Sequence, residues 1–146
     1  MKASLIKIFD LRISKLNKEL ALYTDENCFW KTPKGINNSA GNLCLHLIGN
    51  LKHFIGAVLG NSGYQRERDK ELNVKNIPIS DLQKQIDATK EVVINTLKKL
   101  KSDDFDAIYP INVFGSEMTT TYFLIHLTGH LNYHLGQINY HRRLVC

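Results

Sequence analysis

The chain has 146 residues and a formal charge of +5, from 19 basic and 14 acidic side chains. Charged residues make up 23% and the hydrophobic class 43%, a balance that excludes a disordered chain and points to one globular domain over residues 1–146. Three scattered cysteines, Cys28, Cys44 and Cys146, exclude a disulfide framework and a multi-cysteine zinc site, and the modest charge does not by itself call for nucleic acid or an acidic membrane.

The N-terminal run meets a lysine at its second position, before any signal-peptide apolar core can form, so a cytoplasmic setting with reduced thiols is expected. Residues 4–23 then show helical periodicity. Leu5, Ile8, Phe9, Leu11, Ile13, Leu16, Leu20 and Leu22 are apolar, with Lys7, Arg12, Lys15, Lys18 and Glu19 in the gaps. Asn37, Asn38 or Ser39 can cap a second helix that carries Leu43, Leu47, Leu51, Phe54 and Val58 inward and runs to about Leu59, where Gly60-Asn61-Ser62-Gly63 stops it. Residues 64–79 are charged and lack an apolar period. Ser80 reads as the cap of a third helix over 81–101, built on Leu82, Ile86, Val93, Ile94, Leu97 and Leu100. Residues 103–116 read as a loop or short strand. A fourth helix runs from Ser116 or Glu117 to about Arg143, with Arg142 and Arg143 suited to its C-terminal dipole.

Four helices of this length predict an all-α fold, a four-helix bundle. Connections of about 14, 20 and 15 residues are long for an up-down-up-down bundle and leave room for crossovers.

Lys and Arg crowd residues 2–34 and 66–101, while Gly35–Leu51 and Met118–His141 hold no charge. The second stretch is long enough to span a bilayer, but four His, two Asn, one Gln and four Thr make it a poor membrane segment. The two uncharged stretches contain five of the six histidines. His130 and His134, one turn apart, can point their rings at one place, the H-x-x-x-H spacing by which one helix supplies two metal ligands. The residue after His130 is Leu131 and not Glu, which removes the zinc-protease reading. A third ligand has to come from elsewhere, with His46 and His53 on the other helix as candidates. Three neutral imidazoles would leave positions open for water or substrate, the catalytic arrangement. His126 and His141 read as core or surface residues, with a partner behind a ligand or an alternative ligand as the other readings. Gln137 could orient a ligand or simply bond between helices.

The run His130-Leu131-Asn132-Tyr133-His134-Leu135-Gly136-Gln137-Ile138 resembles the last-helix signature of the DinB-like superfamily of metalloenzymes. The run Asn38-Ser39-Ala40-Gly41-Asn42-Leu43-Cys44-Leu45-His46-Leu47 resembles its second-helix signature, which carries the first histidine. The resemblance spans the chain in length and helix order. It implies a four-helix bundle with crossed connections, a divalent metal ion, zinc or nickel, on His46, His130 and His134, and for many members a homodimer. Members of known activity use low-molecular-weight thiols, in bacillithiol or glutathione S-transfer and in mycothiol-dependent isomerisation; others are regarded as hydrolases. No general base carries over, because neither signature contains Asp or Glu here, and Gly49 and Asn50 follow His46 where some relatives carry acids.

Three functions are therefore weighed: a metal-dependent transferase acting on a small molecule with a thiol, a hydrolase at the same site, and a non-catalytic dimerising bundle. Asn42, Asn50, Tyr133 and Gln137 are candidates for the pocket wall. Trp30 could roof the pocket or pack the bundle end. Lys31, Lys34 and Lys52 could draw in an anionic cofactor or be solvated surface. The lysines interleave with acids and show no basic face with aromatics, so neither nucleic acid nor a membrane is expected as a partner.

Overall fold

The computed structural model describes the whole chain, Met1–Cys146, and it is all-helical. Its elements are α1 (Lys2–Ala21), α2 (Glu26–Phe29), α3 (Ala40–Leu51), a π-helical stretch (Lys52–Ala57), α4 (Arg68–Asn73), α5 (Ile79–Lys99), α6 (Ser102–Asp106) and α7 (Thr120–Val145). The apolar periods become the core. Phe9, Ile13, Leu16 and Leu20 of α1, Leu47 and Leu51 of α3, Leu82, Ile86, Val93 and Leu97 of α5, and Leu124, Leu127, Leu131, Leu135 and Ile138 of α7 belong to one continuous buried cluster. Lys7, Arg12, Lys15 and Lys18 on α1 and Lys84, Asp87, Glu91 and Lys98 on α5 stay exposed, as their spacing requires.

Helix α1 packs on α5 and α7, and α3 packs on the same two helices. Chain neighbours α1/α3 and α5/α7 therefore lie across the diagonals of the bundle. The first and third connections cross its ends, which is what their length is for.

The helix boundaries follow local chemistry. Of the three candidate caps for α3, Ser39 does the work, its Oγ accepting from the Asn42 amide at 3.1 Å. Asn61 (φ 50°) and Gly63 (φ 78°) end the π-helical continuation in the left-handed region. Helix α5 starts at Ile79 and not after Ser80. Pro78 supplies the first carbonyl, and the Ile79 amide donates to Glu26 Oε1 at 3.0 Å, so Ser80 sits inside the first turn. Residues 103–116 contain no strand: α6 occupies the start, and a single antiparallel bridge joins Ile108 to Thr119. Thr119, whose Oγ1 accepts from the Tyr122 amide, caps α7, so that helix begins later than Ser116 and ends at Val145. The charged segment 64–79 also carries a helix, α4, and it bears on the site. No helix is long and apolar enough to cross a membrane.

Candidate metal centre

The α3/α7 contact sets His46 against His130 and His134. His46 Nε2 and His134 Nε2 each lie 3.1 Å from His130 Nε2, and one nitrogen from each of the three rings falls within 4.8 Å of the others. The rings stand edge to face, with centroids 4.5–5.1 Å apart. His130 and His134 meet because four residues of α-helix bring side chains to the same face. His53, seven residues beyond His46, is two helical turns or about 10 Å further along the axis and does not join them. It packs on Phe54 with its Nδ1 buried and unpartnered.

The far nitrogens of two rings are held from behind. His46 Nδ1 donates to Glu71 Oε1 at 3.2 Å, and His134 Nδ1 lies 2.7 Å from Gln137 Oε1. A carboxylate and an amide oxygen can only accept, so each bond places the proton on Nδ1 and leaves a lone pair at Nε2. Glu71 comes from α4 and is 5% exposed. Arg66 grips it with Nε on Oε2 and Nη2 on Oε1, both at 2.9 Å. Asn42 ties α4 to α3 by donating to the Glu71 and Val74 carbonyls at 2.9 Å and accepting from Lys75. Gly49 makes room for this acid, since a Cβ there would run into the Glu71 carboxyl group. The carboxylate absent from both sequence signatures is thus supplied by another element.

Burial, then the neighbouring His134 and His46, lowers the pKa of His130 from 6.5 to about 4. His134 is lowered too, by burial and against the Gln137 bond that favours its charged form. Burial opposes the Glu71 carboxylate, but its bonds to His46 and Arg66 outweigh that and bring its pKa down. At neutral pH His130 and His134 are therefore neutral imidazoles and Glu71 is ionised.

Neutral rings cannot satisfy this cluster. With His46 and His134 each presenting a lone pair, His130 has one proton to share between two contacts. If it sits on Nε2, the buried Nδ1 is left without a partner, and Nδ1 indeed makes no hydrogen bond. A cation in place of the shared proton satisfies the three Nε2 atoms, and the His130 proton then sits on Nδ1, which has no acceptor. Nitrogens bound to one divalent ion at about 2.0–2.1 Å stand roughly 3 Å apart, the spacing of His130 Nε2 from its two neighbours. The donor set fits a metal ion: three unprotonated nitrogens, two of them oriented by acceptors behind the ring.

Two cavities flank the cluster. The larger, about 750 Å³, opens beside His134 and is walled by Asn37, Asn38, Leu43, Tyr133, Gln137 and Tyr140. The smaller, about 270 Å³, opens beside His46 and His130. Of the expected wall residues, Tyr133 and Gln137 line the first and Asn50 the second, whereas Asn42 is committed to α4. Trp30 lines neither; it packs on Gly41 at the start of α3. Lys31 and Lys34 are exposed and line neither cavity, and Lys52 lies over the Tyr64 ring. His126 stacks on His130, touches Phe114 and lines the smaller cavity, while His141 lines the larger one with its ring nitrogens against Tyr23 and the Lys31 carbonyl. Glu71 and Arg66 are the site residues that periodicity and spacing did not reveal. The faint signal was Gly49, a glycine inside an apolar helix, where a close approach is one common reason.

A comparison with curated proteins finds no match. The family model of the DinB superfamily matches residues 8–138, a span that contains His46, Glu71, His130 and His134. The chain belongs to the DinB superfamily.

Proposed function

We propose that His46, His130 and His134 ligate a divalent ion, zinc or nickel, and that the chain is a metal-dependent transferase using a low-molecular-weight thiol. The convergence of three Nε2 atoms with no proton arrangement to satisfy them is the observation that carries the metal reading. A divalent ion there supplies Lewis acidity that favours the ionised thiol at neutral pH. Glu71 and Gln137 hold protons on the outer nitrogens, so the rings offer lone pairs inward. The larger cavity gives an extended thiol room beside His134, and the smaller one gives a second reactant its own approach beside His130. Two separate approaches favour transfer between two molecules over hydrolysis.

The test is metal content and thiol response. Purified chain should hold one zinc or nickel, and His46→Ala, His130→Ala and His134→Ala should each lose it. Added glutathione or a related thiol should perturb the absorption of the cobalt-substituted chain. Ester turnover without thiol would favour the hydrolase, and full metal retention by the three variants would sink the ligand set.

A homodimer belongs to the same reading. Between Glu117 and Arg142 α7 has no charge, yet Tyr122, Ile125, Tyr133 and Tyr140, followed by Leu144, are all more than half exposed. Paired antiparallel about Asn132 and Tyr133, this face matches itself to within one residue, with Tyr122 near Leu144, Ile125 near Tyr140 and Gly129 near Gly136, and the partner then covers one side of the larger cavity. That is the self-complementarity a two-fold interface needs. Sedimentation should show a dimer that Ile125→Glu dissociates.

A further inference from the structure

The smaller cavity has a chemistry of its own. One side of it is cationic. Arg66 uses Nε and Nη2 on Glu71 and keeps Nη1 uncommitted. Arg68 lines the same space and forms no ion pair. The Glu71 charge cancels only Arg66, so the second guanidinium is in excess. Asn50, 6% exposed, lines the same cavity, and its Oδ1 is buried without a hydrogen-bond partner. Its Nδ2, which also makes no hydrogen bond but is not fully buried, is the donor the amide offers to the cavity. The opposite side is apolar, made by Phe54, Val113, Phe114 and Leu127.

We propose that this cavity binds a small organic carboxylate with a compact apolar body, its acid group on Arg68, the free edge of Arg66 and Asn50, and its body against Phe54 and Phe114. Planar guanidinium groups match a carboxylate. The unpartnered Asn50 amide gains the partner it lacks. A volume of about 270 Å³ lies under the roughly 300–1,000 Å³ of sites for drug-sized ligands, which limits the ligand to a single ring or short branched chain beside its acid group. Inorganic phosphate would leave the apolar wall unused. The binding site stands on Arg68, Asn50 and the wall; only the description of this acid as the second reactant rests on the metal-dependent reading.

The test is calorimetric titration of the full chain, metal-free and zinc-loaded, with benzoate, its neutral isostere benzamide, and inorganic phosphate. Metal-free chain should bind benzoate saturably at one site, with benzamide and phosphate each weaker by about tenfold or more. Arg68→Gln, an exposed substitution that leaves the core intact, should weaken benzoate by about fivefold or more and leave benzamide unchanged. Absence of saturable benzoate binding, equal affinity for benzamide or phosphate, or indifference to Arg68→Gln would overturn the proposal. Zinc stoichiometry is read separately. A chain that takes no zinc but binds benzoate through Arg68 keeps this site and removes the metal reading. One zinc per chain with no Arg68-dependent benzoate binding does the reverse.

Discussion

Two turns of α7 separate His134 from His141, and the two rings are paired in opposite ways. His141 is 3% exposed and both its ring nitrogens have a partner: Nε2 donates to the Lys31 carbonyl at 2.8 Å, and Nδ1 lies 2.9 Å from the Tyr23 hydroxyl, whose proton it shares with the Ile138 carbonyl. Its neighbours are equally complete, with Glu19 held by Arg142 at 2.6 Å and by Asn139 at 3.0 Å. His134 and its partners are less buried, yet their inner nitrogens face one another and His130 Nδ1 has nothing. Residue type, helix and spacing are shared between these two nodes. Completeness of hydrogen bonding is what differs. A satisfied polar node contributes stability, and an unsatisfied one marks a place where something else binds.

The sharpest way to break this contrast is to truncate one histidine from each node. His130→Ala should lower zinc affinity by more than about a hundredfold, beyond what losing an orienting partner costs, while moving metal-free stability by no more than about 1 kcal/mol, because it removes a group that was never satisfied. His141→Ala should cost about 2–4 kcal/mol in urea unfolding, through an opened core and two unpaired partners, and leave one zinc per chain. Exchanged outcomes would mean that the nodes have the opposite roles.

The sequence shows one node better than the other, for physical reasons. His130, His134 and the core of α7 follow from helical spacing, and the lengths of the connections already admit the diagonal crossings. Glu71 is hidden because α4 has six residues, less than two turns, too few for any periodicity. In the run Arg66-Glu67-Arg68-Asp69-Lys70-Glu71 every charge resembles solvated surface, and only tertiary packing selects Arg66 and Glu71 for burial. His53 misleads in the other direction: a shared face means little when two turns separate the residues. His141 is illegible for the same reason as Glu71, since its partners lie more than a hundred residues away in the chain.

Within the metal node, the two orienting partners are unequal, which gives a finer comparison. Glu71→Gln removes the charge behind His46 and leaves Arg66 without its counter-ion, so zinc affinity should fall toward the upper end of the roughly 10–100-fold range for such partners. Gln137→Leu removes a neutral acceptor on the more exposed side, and about tenfold is expected. Competition with a chromophoric chelator measures both. A larger loss for Gln137→Leu would mean that α7 alone orients the cluster.

Acid titration separates the nodes with the smallest effect. His130 has its pKa lowered to about 4 in the folded chain, against 6.5 for a free ring, chiefly by burial and then by its histidine neighbours. Between those values the unfolded chain takes up a proton that the folded chain refuses, so metal-free stability falls as pH drops from about 6.5 toward 4. Glu71, also lowered, adds a loss of the same sign at more acid pH. The slope should be gentler than one full proton, because the His130 ring is only partly buried. His130→Ala should reduce it in metal-free chain between pH 6.5 and 5, the lowered His134 and His53 keeping a remainder of the same sign, and His141→Ala should leave it in place. Zinc occupies the nitrogens that would otherwise take up protons, so the loaded chain should hold its stability to lower pH and then lose it steeply as protons displace the ion.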